Sequence, residues 1–238
     1  RSDTCTSTTS SVLIGPQRSP MPDIRWDWIN RHGDDIARAT WQHLVLVVIS
    51  VAVAIAIAVP LATLVRHSRL GRTLLGATTA AVYTIPSIAL FAVLVTITGI
   101  GRTPAIVGLC GYALVMLVRT TLTGLDAVPP AVLDAAQGMG MSRRQLLQRV
   151  ELPLAVPAIL TGIRLATLET VAIATIAVFV AGGGLGELIY SAGISRDLFL
   201  TPIAAGTVMA IALALTLDGL LFAVLRMATR WQRAGGAR

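Results

Sequence analysis

Few residue types in this sequence could carry out covalent chemistry. All 19 basic residues are Arg and none is Lys. A Walker A loop needs a Lys on the β- and γ-phosphates, and imine catalysis needs a Lys amine, so both activities are excluded for this chain. His32, His43 and His67 lack the spacing of metal ligands, and Cys5 and Cys110 are too few for a disulfide framework. The sequence predicts no catalytic residue and no metal site.

Four other ionisable residues lie within or beside long apolar runs. A carboxylate in such a run is costly in lipid and usually marks a polar path, an ion pair or a protonated group. Glu169 either pairs with Arg164 or Arg119 and fixes helix packing, or it faces a path through the bundle. Asp218 is expected to cap or bridge helices. We therefore predict that Arg119, Arg164 and Asp218 are structural polar residues in the membrane.

The composition is that of a membrane protein. Hydrophobic side chains make up 55% of the 238 residues and charged ones 13%, with a mean hydropathy of +0.76. A soluble domain has about 25% charged residues, because it needs a polar surface over its core. The net charge of +7 would suggest nucleic-acid binding in a soluble protein. Here the Arg residues lie between apolar runs, which indicates orientation in a bilayer and no nucleic-acid partner.

The apolar runs predict an all-α, polytopic membrane fold with five transmembrane helices. The first run has no formal charge and, at about 1.5 Å per residue, is long enough to cross the hydrocarbon core. The second contains Pro86, where we expect a kink. The predicted spans are 44–65, 74–98, 104–118, 158–180 and 203–225, within a transmembrane domain at 44–226. The other predicted segments are a disordered extension at 1–22, an interfacial helix at 23–43, a loop at 119–157 and a basic tail at 227–238.

Five spans place the two termini on opposite sides of the membrane, and the Arg distribution indicates which side is which. If the 119–157 loop is cytoplasmic, the cytoplasmic segments contain Arg66, Arg69, Arg72, Arg119, Arg143, Arg144, Arg149, Arg226, Arg230, Arg233 and Arg238. The other side then contains the smaller set Arg25, Arg31, Arg38, Arg102 and Arg196. Because cytoplasmic segments are enriched in Arg, we predict an external N-terminus and a cytoplasmic C-terminus.

The 119–157 loop contains a spaced pattern of small and apolar residues. Asp134-Ala135-Ala136 is followed by three residues, Gly140, nine residues, Val150, one residue and Leu152-Pro153. Small residues on an exposed helix permit close docking into a partner's groove. The pattern resembles the EAA loop of bacterial ABC importer permeases, with Asp134 in place of the family Glu.

The resemblance extends from about Leu44 to Arg226. Within the family, the chain is similar to one branch, the permeases for quaternary-amine osmoprotectants such as glycine betaine, carnitine and choline. The segments that carry it are Thr84-Ile85-Pro86-Ser87, Gly99-Ile100-Gly101, Tyr112-Ala113-Leu114, Val118-Arg119, Gly162-Ile163-Arg164, Ala174-Thr175-Ile176-Ala177 and Gly182-Gly183-Gly184-Leu185-Gly186. The chain departs from the family pattern at Met116, where relatives often have Pro, and at Glu169, where they have an apolar or small residue.

The resemblance implies a multi-pass cell-membrane permease that works with other subunits. These are a cytoplasmic ATPase pair, a second permease (the same chain or a paralogue) and an extracytoplasmic substrate-binding protein. ATP and Mg would be bound by the ATPase, with no cofactor in this chain. The helix from Asp134 to Met141 would then be the coupling helix that docks on the ATPase. The implied coupling residues are Asp134, Ala135, Ala136, Gly138, Gly140, Met141, Leu152 and Pro153.

The resemblance also implies a translocation path. Its candidate residues are Pro86, Ser87, Glu169, Gly183 and Gly184, and Glu169 could attract a quaternary ammonium there. The aromatic residues are scattered along the spans and form no visible cage. The glycine cluster at 182–186 is either a flexible outer gate or a plain chain reversal.

Two alternatives remain open. An ABC permease for methionine or another amino acid would share the loop, although the Thr-Ile-Pro-Ser and Ala-Thr-Ile-Ala segments favour the osmoprotectant branch. A stand-alone secondary transporter or membrane enzyme should show ionisable residues in several spans, an internal inverted repeat or a catalytic constellation. The spans contain only Glu169 and Asp218 as acidic residues, which disfavours this class.

Overall fold

The computed structural model describes residues 24–196 and 198–229, which are mostly helical. The predicted extension at 1–22 and residues 230–238 of the predicted tail lie outside this part of the chain. The helices are α1 (Trp26–Arg31), α2 (Gly33–Val65), α3 (Arg69–Thr84), α4 (Ser87–Thr98), α5 (Arg102–Asp126), α6 (Pro130–Gly138), α7 (Arg143–Leu146), α8 (Leu152–Ala174), α9 (Leu185–Ile189) and α10 (Leu200–Ala228).

Four described helical segments are long and apolar enough to cross a membrane. They are α2, α5, α10 and a continuous stretch from Arg143 to Val180 that contains α8. The bent pair α3 and α4 is a fifth candidate crossing. The predicted all-α architecture with five crossings is therefore confirmed in outline.

Helix α5 lies at the centre of the bundle, between α2 and α8. The main core cluster includes Leu46 and Val47 of α2, Phe91 of α4, Leu109 of α5 and Val171 of α8, all nearly inaccessible. A second cluster is built from small residues such as Ala54, Ala58, Ala113 and Ala166. Small side chains let helix backbones approach closely, which is how helices gain contacts where lipid is the competing solvent.

The second predicted span is two helices rather than one kinked helix. Helix α3 ends at Thr84, α4 begins at Ser87, and the two axes differ by 99°. Ile85 is extended, as the residue before a proline prefers, and Pro86 has no N–H to continue the helix. The hydroxyl of Tyr112 donates a hydrogen bond to the Ile85 carbonyl, which is left outside the helices at this break. Pro86 predicts the position of the break, and the hydrogen bond from Tyr112 of α5 satisfies a carbonyl that the break leaves free.

The predicted interfacial helix at 23–43 is also wrong in extent. Only the short helix α1 is separate, and α2 begins at Gly33 and continues without interruption through the first crossing. No glycine or proline interrupts residues 34–44, so nothing stops the helix where the hydrocarbon ends. Asp34, Asp35 and Arg38 are carried on the first turns of the long helix.

The third and fourth spans are longer than predicted for the same reason. Helix α5 covers 102–126 rather than 104–118, and α8 begins at Leu152 rather than at 158. Thr175–Val180 forms a 3₁₀ turn at the end of the fourth crossing. The charge at Arg119 marks the limit of the apolar run but does not end α5, which continues to Asp126. The predicted loop at 119–157 is thus reduced to the segments between α5 and α8.

Gly162 and Gly124 allow α8 and α5 to pack closely. A Cβ added to Gly162 would lie 1.9 Å from the Thr120 Oγ1 atom, and one added to Gly124 would lie 2.7 Å from the Cβ of Ala158. The two helices could not keep this separation with larger residues at these positions.

Replacing Gly162 by Ala is expected to lower the thermal stability of the purified protein, because the new methyl group would overlap Thr120 and overpacking costs about 1–3 kcal/mol. Gly219→Ala in α10 is the matched control, since a Cβ at Gly219 has no neighbour within 4 Å and Ala favours helix. The measurement is the midpoint of thermal unfolding in detergent. Equal midpoints for the two variants would contradict the close approach of α5 and α8.

Candidate functional site

Helix α6 carries most of the predicted coupling residues. It runs from Pro130 to Gly138 and contains Asp134, Ala135 and Ala136. The predicted helix from Asp134 to Met141 therefore starts too late and ends too late. Pro130 occupies the first turn of α6, where its fixed φ favours helix and its missing N–H costs nothing.

Gly140 forms the turn between α6 and α7. Its φ of 79° lies in the left-handed region that favours glycine. The N–H of Gly140 donates to the Gln137 carbonyl at 2.9 Å, and the N–H of Met141 donates to the Ala136 carbonyl at 3.3 Å, which caps the end of α6. Ser142 and Gln145 then form a capping box that starts α7.

One face of α6 is open to a partner. Ala136 is buried, whereas Asp134 and Ala135 are exposed. Ala131, Ala135 and Gly138 are exposed at helical spacing and form a stripe of small residues, and a Cβ at Gly138 would meet nothing within 4 Å. This stripe, Ala131–Ala135–Gly138, presents a flat surface that a larger side chain would interrupt.

The chain enters α8 as continuous helix that includes Pro153. Residues Leu147–Glu151 form a π-helical turn, in which the N–H of Leu152 donates to the carbonyl of Leu147. Pro153 follows in the first turn of α8 and is exposed, while Leu152 packs in a cluster with Leu125, Ala155 and Ile159. The π turn shifts the hydrogen-bond register next to the proline, so that the helix continues through it.

A buried ion pair fastens this segment to the first crossing. Arg66, directly after α2, places its Nε 2.7 Å from Oε2 of Glu151, and the side chains are only 13% and 5% exposed. Arg66 also donates to the Thr63 carbonyl at 2.7 Å. Because a nearly buried charge is costly without a partner, this pair couples the position of the π turn to the end of α2.

A second, more exposed ion pair lies at the same end of the bundle. Arg72 of α3 binds both carboxylate oxygens of Asp126 at the end of α5, with Nη1 2.8 Å from Oδ1. We call the part of the bundle that carries α6, α7 and these two pairs the loop end. The sequence predicts neither pairing. Of the four residues, only Arg66 and Arg72 contribute to a prediction, that of the orientation of the chain.

A third ion pair joins α8 and α10 within the bundle. Nε and Nη2 of Arg164 each lie 2.8 Å from an oxygen of Asp218, and the guanidinium carbon lies 4.8 Å from the ring centre of Phe222. Asp218 thus bridges two helices. The expected pairing of Glu169 with Arg164 is wrong, because Asp218 occupies both donor sites of Arg164 that face it.

Glu169 instead is half-buried on α8, and its Oε2 atom has no hydrogen-bond partner among the described residues. Tyr83, at the end of α3, packs on Tyr112 of α5, with the ring centres 6.1 Å apart in an edge-to-face arrangement. No described Arg forms an ion pair with Glu169, including the other predicted partner, Arg119. A path role for Pro86, Ser87 and Glu169 stays a prediction.

Gly183 and Gly184 belong to a different set of contacts, at the opposite end of the bundle. Both are buried and have φ of 80° and 90°. The N–H of Gly184 donates to Oε1 of Gln42 at 3.2 Å, and the N–H of Leu185 donates to Nδ1 of His43 at 3.3 Å. We call this region the glycine end. The cluster is a closely packed chain reversal here, and a gating role for Gly183 and Gly184 stays a prediction.

His43 was assigned no role from the sequence. It is fully buried, and its Nε2 lies 3.1 Å from the carbonyl of Val171 on α8, so the neutral tautomer that donates from Nε2 and accepts at Nδ1 satisfies both contacts. His43 therefore ties α2 to α8 and to the glycine cluster. Its only sequence signal is a polar residue at the start of an apolar run.

Residues 41–230 match the family described as binding-protein-dependent transport system inner membrane component. The chain is 41% identical over 192 residues to the osmoprotectant import permease protein OsmW of Salmonella typhimurium, which covers 78% of this chain and 88% of that protein. It is 33% identical over 203 residues to the glycine betaine/carnitine/choline transport system permease protein OpuCB of Bacillus subtilis, with 85% and 92% covered.

The helical arrangement is similar to that of a solved transporter. A chain of the MetNI methionine ABC transporter, in an inward-facing conformation, superposes with a TM-score of 0.74 at 23% identity, over 82% of this chain and 96% of that chain. At this identity the likeness shows the fold alone.

Replacing Glu151 by Gln is expected to lower the stability of the protein by up to about 3 kcal/mol, because Arg66 would keep its charge in a nearly buried site. Asp126→Asn, which breaks the exposed pair with Arg72, is the matched control and should cost less than about 1 kcal/mol. Thermal unfolding of each variant measures the difference. The double variant Arg66→Gln, Glu151→Gln should recover part of the loss, and equal losses in the two single variants would contradict the buried pair.

Proposed function

This chain belongs to the family of binding-protein-dependent transport system inner membrane components, and on that premise we propose that it is the permease subunit of an ATP-driven importer of osmoprotectant quaternary amines. The observation that carries the proposal is the exposed helix α6, with its small-residue stripe, held at the loop end of a five-crossing bundle. Such a helix is suited to receive motion from another protein. ATP hydrolysis belongs to a partner subunit in this mechanism, which agrees with the absence of Lys from the sequence.

The proposed substrates follow from the relatives. Two relatives that cover most of the chain are named for import of osmoprotectants and of glycine betaine, carnitine and choline. The alternative, a permease for methionine or another amino acid, shares the loop, but neither of these two relatives is named for an amino acid. We propose a quaternary amine as the solute.

Coupling would be transmitted through the loop end. A partner that seats α6 and moves it would act through the Gly140 turn on α7, from which continuous helix leads through the π turn into α8. The pair Arg66–Glu151 would pass that motion to α2, and the pair Arg72–Asp126 would link α3 to α5. The inward and outward states then differ in stability according to the nucleotide state of the partner.

The loop end would face the cytoplasm. Among the described residues, Arg66, Arg69, Arg72, Arg143, Arg144, Arg149 and Arg226 lie at or beyond helix ends on that side. Arg25, Arg31 and Arg38 precede or begin the first crossing, and Arg102 and Arg196 lie near the glycine end. Positive residues are enriched in cytoplasmic segments, so this distribution supports an external N-terminus and a cytoplasmic C-terminus in the cell membrane.

A second permease would cover α3. This helix contains no buried residue, and its large side chains Leu70, Leu74 and Tyr83 are more than half exposed. An exposed apolar helix can face lipid or another protein, and pairing of two permeases would place α3 at their interface. We propose a dimer of this chain, or of this chain with a paralogue, together with an ATPase pair and an external binding protein at the glycine end.

Expression of the chain with its ATPase and binding protein, in cells that lack osmoprotectant uptake, is expected to produce energy-dependent accumulation of radiolabelled glycine betaine, carnitine or choline. Omission of the permease is the control. Accumulation of methionine, with none of the three quaternary amines, would contradict the proposed substrate class. Accumulation without the ATPase would contradict the proposed mechanism.

Replacing Ala135 by Glu is expected to abolish coupled uptake while the protein still inserts in the membrane, because Ala135 lies on the exposed stripe and contributes nothing to the core. Gln137→Glu is the matched control: it adds the same side chain at an exposed position of α6 outside the stripe. Uptake and co-purification of the ATPase are the measurements. Normal uptake and normal ATPase association in the Ala135 variant would show that α6 does not dock.

A further inference from the structure

A cavity at the glycine end lies outside the predicted crossings. It has a volume of about 400 Å³ and lies between the first two helices, α1 and α2, and the segment formed by α9 and the residues that follow it. The residues that line it fall within 28–42 and 187–199, whereas the neighbouring predicted crossings are 44–65, 158–180 and 203–225. We call this cavity the outer recess, because the proposed orientation makes this side external and its position beyond the crossings opens it to water.

The walls of the outer recess have the composition of a contact with another protein. Trp28 and Phe199 form an aromatic wall, in which the two rings meet edge to face with centres 5.9 Å apart. Arg38, Glu187 and Arg196 add charges of both signs. Aromatic and Arg side chains are enriched at protein interfaces, where a polar rim surrounds a more apolar centre. The outer recess therefore fits a protruding loop of a polar protein better than it fits a lipid chain.

Two large apolar side chains are exposed beside the outer recess. Leu198, which lies between the lining residues Arg196 and Phe199, is 68% exposed, and Ile194 is 45% exposed. Both residues lie beyond the predicted crossings, so contact with lipid does not account for their exposure. Apolar side chains next to an aromatic recess are typical of a surface that a partner covers.

Gln42 connects the outer recess to the glycine cluster. It lines the recess, and its Oε1 atom accepts a hydrogen bond from the N–H of Gly184 at 3.2 Å. The same oxygen lies so close to Gly183 that a Cβ added there would approach it to 2.9 Å. Because the glycine cluster holds the amide oxygen, the Nε2 donor is the group that Gln42 can offer to an occupant of the recess.

His43, the next residue of α2, extends this connection to α8. The N–H of Leu185 donates to Nδ1 of His43, and Nε2 of His43 lies 3.1 Å from the carbonyl of Val171 on α8. Two consecutive residues of α2 thus hold two consecutive N–H groups of the glycine cluster, and one of them also holds α8. Helix α8 belongs to the continuous segment that leads to the loop end. A contact with Gln42 therefore acts on an element that reaches the other end of the bundle.

We propose that the outer recess is the docking point of the external binding protein, and that a hydrogen-bond acceptor at the tip of one of its loops binds Nε2 of Gln42. This inference rests on the proposed function and adds the place and the chemistry of the contact with that partner. The family is described as binding-protein-dependent, so its members need a surface that receives such a protein. The outer recess combines an external position with a direct hydrogen bond to the glycine cluster.

The test uses the complete transporter, with permease and ATPase in lipid nanodiscs, titrated with binding protein that is saturated with glycine betaine. The rate of ATP hydrolysis gives the concentration of binding protein at half-maximal stimulation. Ser191→Trp fills the outer recess and is expected to raise this concentration roughly tenfold or more, the effect of losing a dominant interface contact. Ser195→Trp is the matched control, because Ser195 is exposed nearby but does not line the recess, and it should leave the concentration unchanged.

A second variant separates contact with the partner from a purely structural role of Gln42. Gln42→Glu keeps an oxygen that can accept the N–H of Gly184, but it replaces the Nε2 donor by another acceptor. The half-maximal concentration is expected to rise roughly tenfold, while the midpoint of thermal unfolding stays close to that of the unmodified protein. Gln42→Met removes both groups and should lower the midpoint as well, because the N–H of Gly184 then has no partner. Ser191 is exposed, so Ser191→Trp decides the test if Gln42→Glu fails to assemble.

Equal half-maximal concentrations for Ser191→Trp and Ser195→Trp would overturn the docking point, and an unchanged value for Gln42→Glu would overturn the contact with Nε2. Stimulation by free glycine betaine that is lost in Ser191→Trp would show a solute site in place of a docking point, and would also overturn the inference. Failure of the unmodified transporter to import any of the three quaternary amines would instead overturn the proposed function. The two failures are therefore distinguishable.

Discussion

The pairing of charges at the boundary of the apolar region is the interaction on which the arrangement of this bundle depends. Lipid offers no water to solvate an isolated charge, so each charge that lies between helices needs a partner from the protein. Arg66 and Glu151 form an ion pair at 2.7 Å almost out of contact with solvent, and they come from segments far apart in the chain. That pair determines where the segment after α7 enters the bundle, and hence where α6 is presented.

Continuous helix leads from α7, which follows the turn after α6, into the core of the bundle. The π turn at Leu147–Glu151 absorbs the proline of the Leu-Pro sequence, so α7, the turn and α8 form one long helical segment. A stiff segment transmits a displacement better than a flexible loop would. The opposite element, α3 and α4, is broken by 99°, and the break is held by the hydroxyl of Tyr112. The bundle thus combines one continuous helical segment, Arg143–Val180, with one sharply bent pair of helices, α3 and α4.

The two ends of the bundle differ in the way they are held together. The loop end is joined by ion pairs between side chains on separate segments. The glycine end is joined by backbone N–H groups that bind Gln42 and His43, at glycines too close to α2 to carry a side chain. The more exposed pair, Arg72–Asp126, can exchange partners with water or with another protein, whereas the glycine contacts depend on close packing. This contrast agrees with a loop end that changes its contacts during the transport cycle.

The sequence by itself determined the features that depend on local composition and spacing. Uninterrupted apolar runs predict the crossings, Pro86 predicts the break, and the spacing from Asp134 to Pro153 predicts the exposed loop helix. Helix ends were misplaced because the predicted spans stop where the apolar runs stop, whereas α2 already begins at Gly33 and α5 continues past Arg119 to Asp126. Only the tertiary structure decided which charges meet. Arg164 binds Asp218 rather than Glu169, and Tyr83 and Tyr112 meet from two helices, because the partners in a bundle depend on the rotation and depth of each helix, which no local pattern specifies.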